Sequence, residues 1–301
     1  MSRYEEFDAF IRTVEAGSFT AAAKQLRVAK SAISRRIQEL EQRLGAQLLV
    51  RTTRKLTLTE DGEALFRRGK VLLEDWLEAE AVVSDRQDEL SGTIRVAAPL
   101  SFGVAHLGPA LLEFQKAHPN IQFDIDFSDR RVDLIAEGVD LAIRIGSLRD
   151  SSLIARKLAP IKMMVTASPA FWEENGIPKS VSDLKDLKEL RYANRTESSW
   201  TFTDGEGRTE SVALKTALTA SNGTFLTQAA IAGMGVAIQP NFIIAQALRD
   251  GQLVRVLSDH ALPELGLYAI YPPTRHLSKR VRTLVDFIAT YFGDTPYWEQ
   301  S

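Results

Sequence analysis

Apolar positions recur at helical spacing through roughly the first ninety residues, then gather into short runs separated by glycine, proline and polar breaks. Phe7, Phe10, Ile11 and Val14 predict an amphipathic first helix that closes at Gly17. Ser18 or Thr20 caps a second, short helix, where Ala21, Ala22 and Ala23 are small enough for another helix to cross closely. In a third helix ending at Gly45, Ile33, Ile37, Leu40 and Leu44 follow spacings of four, three and four and make one apolar stripe. At about 100° per residue, Ser31, Ser34, Arg35 and Gln38 project from the opposite side. They offer hydroxyls, a guanidinium and an amide suited to base edges. The stretch from Ser18 to Gly45, SFTAAAKQLRVAKSAISRRIQELEQRLG, therefore reads as a helix-turn-helix whose second helix enters a DNA major groove, with Lys30 and Arg36 as further contacts. The bland alternative is a surface α-hairpin with a solvated polar side.

The next segment, QLLVRTTRKLTLT, predicts two short strands around a basic tip, a wing from which Arg51, Arg54 and Lys55 can reach phosphates. An ordinary charged hairpin is its alternative. Thr59 is a good helix cap, and Glu60 and Asp61 follow where the helix dipole favours carboxylates. Leu65, Gly69, Leu72, Trp76, Ala79 and Val83 then alternate spacings of four and three, the seam of a coiled coil running to about Leu90. Self-association through Leu65, Leu72, Trp76, Ala79 and Val83 is expected, because one winged module makes few contacts and paired modules can read two half-sites. Packing of this helix on its own subunit is the competing reading.

Ser91 and Gly92 break the pattern, and strands then alternate with helices. Strands are expected at 93–98, 121–128 and 139–145, with helices at 104–117 and 132–137, which implies a largely parallel sheet covered on both sides. An edge strand at 153–159 is expected to break at Pro160. The fold class is α/β, with this division: residues 1–60 a winged helix-turn-helix, 61–90 a linker and dimerisation helix, and 91–301 a two-lobed body. One lobe takes in about 91–160 and 266–301, the other about 161–265. Two crossings of the chain make a hinge, and the cleft outside the strands' carboxyl ends is the expected pocket.

Charge sharpens this division. The 301 residues carry 37 Lys+Arg and 39 Asp+Glu. Residues 1–60 hold 11 of the former and 7 of the latter, a net of +4, which leaves 26 against 32, a net of −6, for the rest. A basic module suits phosphates that an acidic body would repel. With no cysteine, disulfides and thiolate chemistry drop out, and MSRYEEFDAF has neither the basic nor the apolar region of a signal peptide. No run approaches the roughly 18 apolar residues of a membrane span, so a cytoplasmic protein without membrane contact is expected.

Motifs for enzymatic chemistry are missing. Gly233 and Gly235 begin a GxGxx pattern, but Ile238 stands in place of its third glycine and the pair follows a helix, so a helix cap and turn is the better reading. His106, His118, His260 and His276 lack metal-ligand spacing, and neither a metal nor a cofactor is expected. Asp124 and Asp126 alternate along a strand and suit solvent better than an acid and base pair.

The order of these pieces resembles the LysR-type transcriptional regulators over nearly the whole chain. The likeness is carried by FDAFIRTVEAGSFTAAAKQL from Phe7, SAISRRIQELE from Ser31, LTLTEDG at 56–62, DLIAEGVDLAIRIG at 133–146 and AAIAGMGVAIQP at 229–240. Lys30 stands where many members have Gln, and Ala29 where many have a capping Ser. The resemblance implies a sequence-specific regulator of promoter DNA and a body similar to periplasmic solute-binding proteins. It further implies a homotetramer on an interrupted palindrome, with a small effector in each cleft altering DNA bending and the engagement of RNA polymerase. Two other readings stay open, an effector-independent DNA-binding protein and an enzyme or solute-binding body fused to a winged helix.

The candidate effector residues lie at strand ends and helix starts. Ser101 and Phe102 follow the first strand of the body, Ser128 and Arg144 lie at the ends of its neighbours, and Asn222 and Thr224 open a helix in the second lobe. In proteins that this chain resembles, the matching loops face each other. An effector carrying a carboxylate is expected, held by Ser101, Ser128, Asn222 and Thr224, with Phe102 against its apolar part and Arg144 as counter-ion. Caps and turn formers are the alternative for each residue taken singly.

Overall fold

The computed structural model describes residues 2–51, 56–83, 90–130, 132–147, 154–272 and 277–299. The chain divides into two compact units, one of Met1–Glu89 with Ala136–Gly138, the other of Leu90–Ile135 with Val139–Ser301.

In the first unit, α1 (Arg3–Glu15), α2 (Phe19–Gln25) and α3 (Lys30–Leu44) precede a two-stranded antiparallel sheet of β1 (Leu49–Arg51) and β2 (Leu56–Leu58), and α4 (Glu60–Val83) follows. The Ser18 side chain caps α2 by accepting from the amides of Thr20 and Ala21. Gly45 ends α3 in the left-handed conformation at φ 67°, which a side chain would strain. Phe10, Ile11, Ile33, Ile37, Leu40, Leu48, Leu49 and Leu73 form the core. Each large apolar side chain buried there contributes about 1.5–3 kcal/mol. Charged side chains clamp this core from outside. Arg43 pairs with buried Glu6 at 2.9 Å, and Glu41 Oε1 accepts from the amides of Leu48 and Leu49 at 2.8 and 3.1 Å, fixing the sheet against α3. Gly62 lets α4 lie close to β1, since a Cβ there would stand 2.1 Å from the Leu48 carbonyl oxygen.

Two expectations for this unit need correction. Leu44, placed on the α3 stripe, is exposed, because the helix ends there beyond the reach of the core. The α4 seam also divides. Leu65 is half-buried and packs on the unit's own core, and a Cβ at Gly69 would stand 2.5 Å from Phe7 Cζ, so this stretch turns toward α1 rather than outward. Leu72 and Trp76 are 61% and 53% exposed, with the Tyr4 ring 5.4 Å from Trp76. The side chains of Arg51, Ala79 and Val83, and the whole of Arg54 and Lys55, lie outside the described residues.

The second unit holds two five-stranded sheets. The chain enters through β3 (Gly92–Ala98), α5 (Leu100–Phe102), a π-helical turn at Gly103–Leu107, α6 (Gly108–Ala117), β4 (Ile121–Phe127), α7 (Leu134–Glu137), β5 (Leu141–Gly146) and β6 (Ile154–Ile161). It passes into the second sheet through β7 (Met163–Ala167), α8 (Pro169–Asn175), β8 (Lys188–Tyr192), a hairpin of β9 (Trp200–Thr203) and β10 (Thr209–Val212), and β11 (Lys215–Ala220). Then come α9 (Gly223–Ile231), β12 (Val236–Pro240), α10 (Asn241–Arg249) and β13 (Val254–Val256). Finally β14 (Leu265–Tyr271) and α11 (Lys279–Phe292) return to the first sheet. Strand orders are β4-β3-β5-β14-β6 and β11-β8-β12-β7-β13.

The first sheet is mixed. Strands β3, β4 and β5 run parallel, but β14 is antiparallel to both neighbours, because it arrives from the other sheet rather than through a helical crossover. Pro160 does not break β6. The strand lies at the sheet edge, where a missing N–H is tolerated, and Pro160 pairs with Gly266. The helical run after β3 also starts earlier than expected, at Leu100, with the π turn inside it. Helix α10 serves both lobes, with Phe242 and Ala245 in the first core and Ile244 and Ala247 in the second.

Candidate functional site

On α3, the apolar stripe faces inward and the polar side is open. Lys30, Ser31, Arg35 and Gln38 are exposed and Ser34 half-buried. Among the described residues, the ion pair of Arg35 is with Glu39, at 3.7 Å, an exposed pair worth under about 1 kcal/mol that a base edge can displace. Arg36 does not belong to this group. It sits about 140° around the helix from Ser31, its guanidinium pairs with Glu5 at 3.0 Å, and its side chain is only 16% exposed, so it ties α3 to α1.

In the second unit, strand ends from both sheets meet in a polar seam. The Ser101 hydroxyl lies 2.8 Å from that of Thr224 and accepts from Asn222 Nδ2 at 3.4 Å. Asn222 also caps α9, its Oδ1 accepting from Phe225 N at 2.9 Å. These three expected residues thus converge. Ser128 follows β4 beside the same loops, its amide donating to Ala98 O, while its Oγ is buried with no hydrogen-bond partner among the described residues. Arg144 adjoins this loop more loosely, Nη1 donating to the Arg130 carbonyl at 3.1 Å.

Phe102 is a correction. It is fully buried, one residue and about 100° beyond Ser101, against Phe242, Phe292 and Trp298 at 5.2, 5.5 and 5.7 Å, so it is core and cannot line a pocket. Its neighbour His106 is buried too, bonded through Nδ1 to the Tyr297 hydroxyl and through Nε2 to the Phe242 carbonyl at 3.2 Å. Burial lowers its pKa from 6.5, and the carbonyl contact opposes that shift.

Three seam residues went unforeseen. Asp129 Oδ1 accepts from Leu100 N at 3.2 Å, and Asn194 Nδ2 donates to both the Asp129 carbonyl at 3.4 Å and the Tyr192 hydroxyl at 3.3 Å, joining the lobes a second time. Burial raises the Asp129 pKa from 3.8, with the Leu100 amide working against it. Burial likewise raises Tyr192, the Asn194 contact opposes this, and the Asp129 charge adds to it. The signal was available in part, since Asp129 follows Ser128 directly. Tyr192 and Asn194 depend on β8, whose KELRY alternates too briefly to stand out.

Among the described residues, no cluster of three or more His, Asp or Glu could hold a metal, and no helix is long and apolar enough to cross a membrane. A helix-turn-helix with an open polar side, joined in one chain to a two-lobed body with a polar seam, defines a DNA-binding regulator with a ligand-sensing body. Residues 4–63 match the bacterial regulatory helix-turn-helix protein, lysR family, and residues 87–293 match the LysR substrate binding domain. The chain belongs to the LysR family of transcriptional regulators.

The HTH-type transcriptional regulator PtxR of Pseudomonas aeruginosa is 35% identical over 96% of this chain and 93% of its own. DmlR of Escherichia coli is 34% identical over 95% and 93%. The structure of CrgA, a LysR-type transcriptional regulator from Neisseria meningitidis, aligns with a TM-score of 0.62 at 31% identity, covering 96% of this chain and 99% of that one. Members of the family are regulators rather than enzymes; they bind DNA through the helix-turn-helix, carry an effector-binding domain and oligomerise.

Proposed function

We propose that this regulator reads its operator with Lys30, Ser31, Ser34, Arg35 and Gln38 of α3 and grips flanking phosphates with Arg51, Arg54 and Lys55 of the wing. Residues 1–60 form the DNA-binding module, 61–90 the linker helix, and 91–301 the effector body, with lobes at about 91–160 with 266–301 and about 161–265. Copies associate through the outward part of α4, where exposed Leu72 and Trp76 supply the apolar contact, and two such dimers make the tetramer. The protein acts in the cytoplasm and engages RNA polymerase at its promoter.

The effector is a small carboxylate-bearing molecule held by Ser101, Ser128, Asn222 and Thr224, with Arg144 near its negative end. The observation that supports this most is Ser101 Oγ within hydrogen-bond distance of both Thr224 and Asn222, from loops 121 or more residues away in the chain. Caps and turn formers alone would not need to meet across two sheets. The test is fluorescence anisotropy of the full-length protein on its promoter fragment, with a panel of small carboxylates and amino acids added singly. At least one should change DNA affinity without being consumed. Consumption of the compound, or DNA affinity that no compound alters, would count against the reading.

A further inference from the structure

Among the described residues of the seam, Asp129 is the one carboxylate: Asn194 bonds Tyr192 and the Asp129 carbonyl, Asp129 Oδ1 bonds Leu100 N, and Ser101, next along the chain, bonds Thr224 and Asn222. Among the described residues, its side chain is met by a neutral backbone amide, and no Lys, Arg or His pairs with it. Burial disfavours its charge, and the nearby Tyr192 is destabilised as an anion by that same charge. A carboxylate held partly out of water, with no cation beside it among the described residues, is a cost that a cationic ligand group would offset. The surroundings suit such a group. Asn194 spends its amide hydrogens on the Asp129 carbonyl and the Tyr192 hydroxyl, which directs its Oδ1 elsewhere as an acceptor, and Tyr192 stands beside it as a half-buried aromatic residue packed partly on the second core. A bare carboxylate entering here would instead meet Asp129 as a like charge.

We infer that the effector carries an ammonium group, seated against Asp129 with Asn194 Oδ1 and the Tyr192 ring around it, and is therefore a zwitterion whose carboxylate lies toward the Ser101 end. This rests on the reading of the same seam as the effector site. It adds the chemical class, a small amino acid or close relative, and assigns Asp129, Tyr192 and Asn194 to specificity for the amine.

The test uses full-length protein and matched probes. Each standard L-amino acid is compared with its deaminated counterpart, such as alanine with propionate and glutamate with glutarate, first by thermal shift and then by titration. The variant Asp129→Asn keeps an oxygen acceptor for Leu100 N and removes only the charge, so the local turn is preserved. At least one amino acid should raise the melting temperature where its deaminated partner does not. Asp129→Asn should weaken that amino acid about tenfold, and Ser101→Ala should weaken it as well.

If a deaminated acid binds as tightly as its amino acid, and equally in Asp129→Asn, the ammonium assignment is overturned while the seam stands, provided Ser101→Ala still weakens it. Should an amino acid bind the same in Asp129→Asn and Ser101→Ala, the site lies elsewhere and both readings fall. A panel in which no amino acid shifts the melting temperature also overturns the assignment.

Discussion

The outer side of α3 and the seam of the body are both polar, but their groups stand in opposite states. On α3, Lys30, Ser31, Ser34 and Gln38 make no side-chain hydrogen bond or ion pair among the described residues, and Arg35 has its loose contact with Glu39. In the seam, Ser101 is already bonded across the lobes to Thr224 and Asn222, and Asn194, bonded to Tyr192, reaches across to the Asp129 carbonyl. Binding to the first surface adds interactions to a helix whose backbone is held by its own core, so little reorganisation opposes it. A ligand bound in the seam, as proposed, would exchange internal bonds for bonds to itself, and only the difference would remain as affinity. That exchange also changes what holds the lobes together, which is the property a sensor needs and a docking surface does not.

The largest test of this contrast strikes the inner side of α3. Ile37→Ala should cost about 2–5 kcal/mol in denaturant unfolding and weaken binding to specific and random duplex alike. A variant that loses stability but keeps full DNA affinity would show that the reading surface does not depend on that core. Next is Arg35→Ala, expected to cost about 1–3 kcal/mol at the preferred operator and much less on random DNA. Equal losses on both would move Arg35 from base contact to phosphate contact.

Smaller effects belong to the seam. Ser101→Ala combined with Thr224→Ala removes the bond between the two neutral hydroxyls and the longer one from Asn222 Nδ2, so the unliganded protein should lose only about 0.5–1.5 kcal/mol, with basal DNA affinity unchanged and the effector response gone. An intact response would place the pocket elsewhere.

The smallest effect is a pH slope. Because the Asp129 pKa is raised in the folded state, the folded chain binds more protons than the unfolded one at and above 3.8, and the contribution of Asp129 to stability falls as pH rises through that window. His106 acts in the other direction, since a lowered pKa means stability is lost as pH drops below 6.5 toward the folded value. Asp129→Asn should remove the first slope and leave the second. Identical pH profiles for the variant and the parent would show that Asp129 is as well solvated folded as unfolded.

How far each region can be foreseen follows from how local it is. A recognition helix is periodic, so the positions of Ile33, Ile37 and Leu40 determine where Ser31, Arg35 and Gln38 point. The same periodicity could not separate Arg36, which lies on the margin of the stripe, because its fate depends on Glu5 from another helix. Nor could it show that Gly69 packs against Phe7 of α1 and Leu65 on the unit's core, while Leu72 and Trp76 stay largely exposed, since the spacing is uniform. In the body, Ser101, Asn222 and Thr224 were recognisable as residues at strand ends and helix starts. Phe102 shared that address yet faces the core, because adjacent residues on a helical turn point in different directions.

What the sequence determined unaided is whatever repeats within a few residues: the helix periods, the cap at Thr59, the glycine at the end of α3, the basic and acidic halves of the chain, and the α/β alternation, while the choice of Ser18 over Thr20 as the cap of α2 came from the structure. Tertiary structure decided the rest. It set the antiparallel course of β14, put Pro160 on an edge where its missing N–H is harmless, and gathered Asp129, Tyr192 and Asn194 beside Ser101. The physical reason is distance along the chain. A hydrogen bond between Ser101 and Thr224 closes a loop of 123 residues, and no local propensity registers which two ends of such a loop will meet.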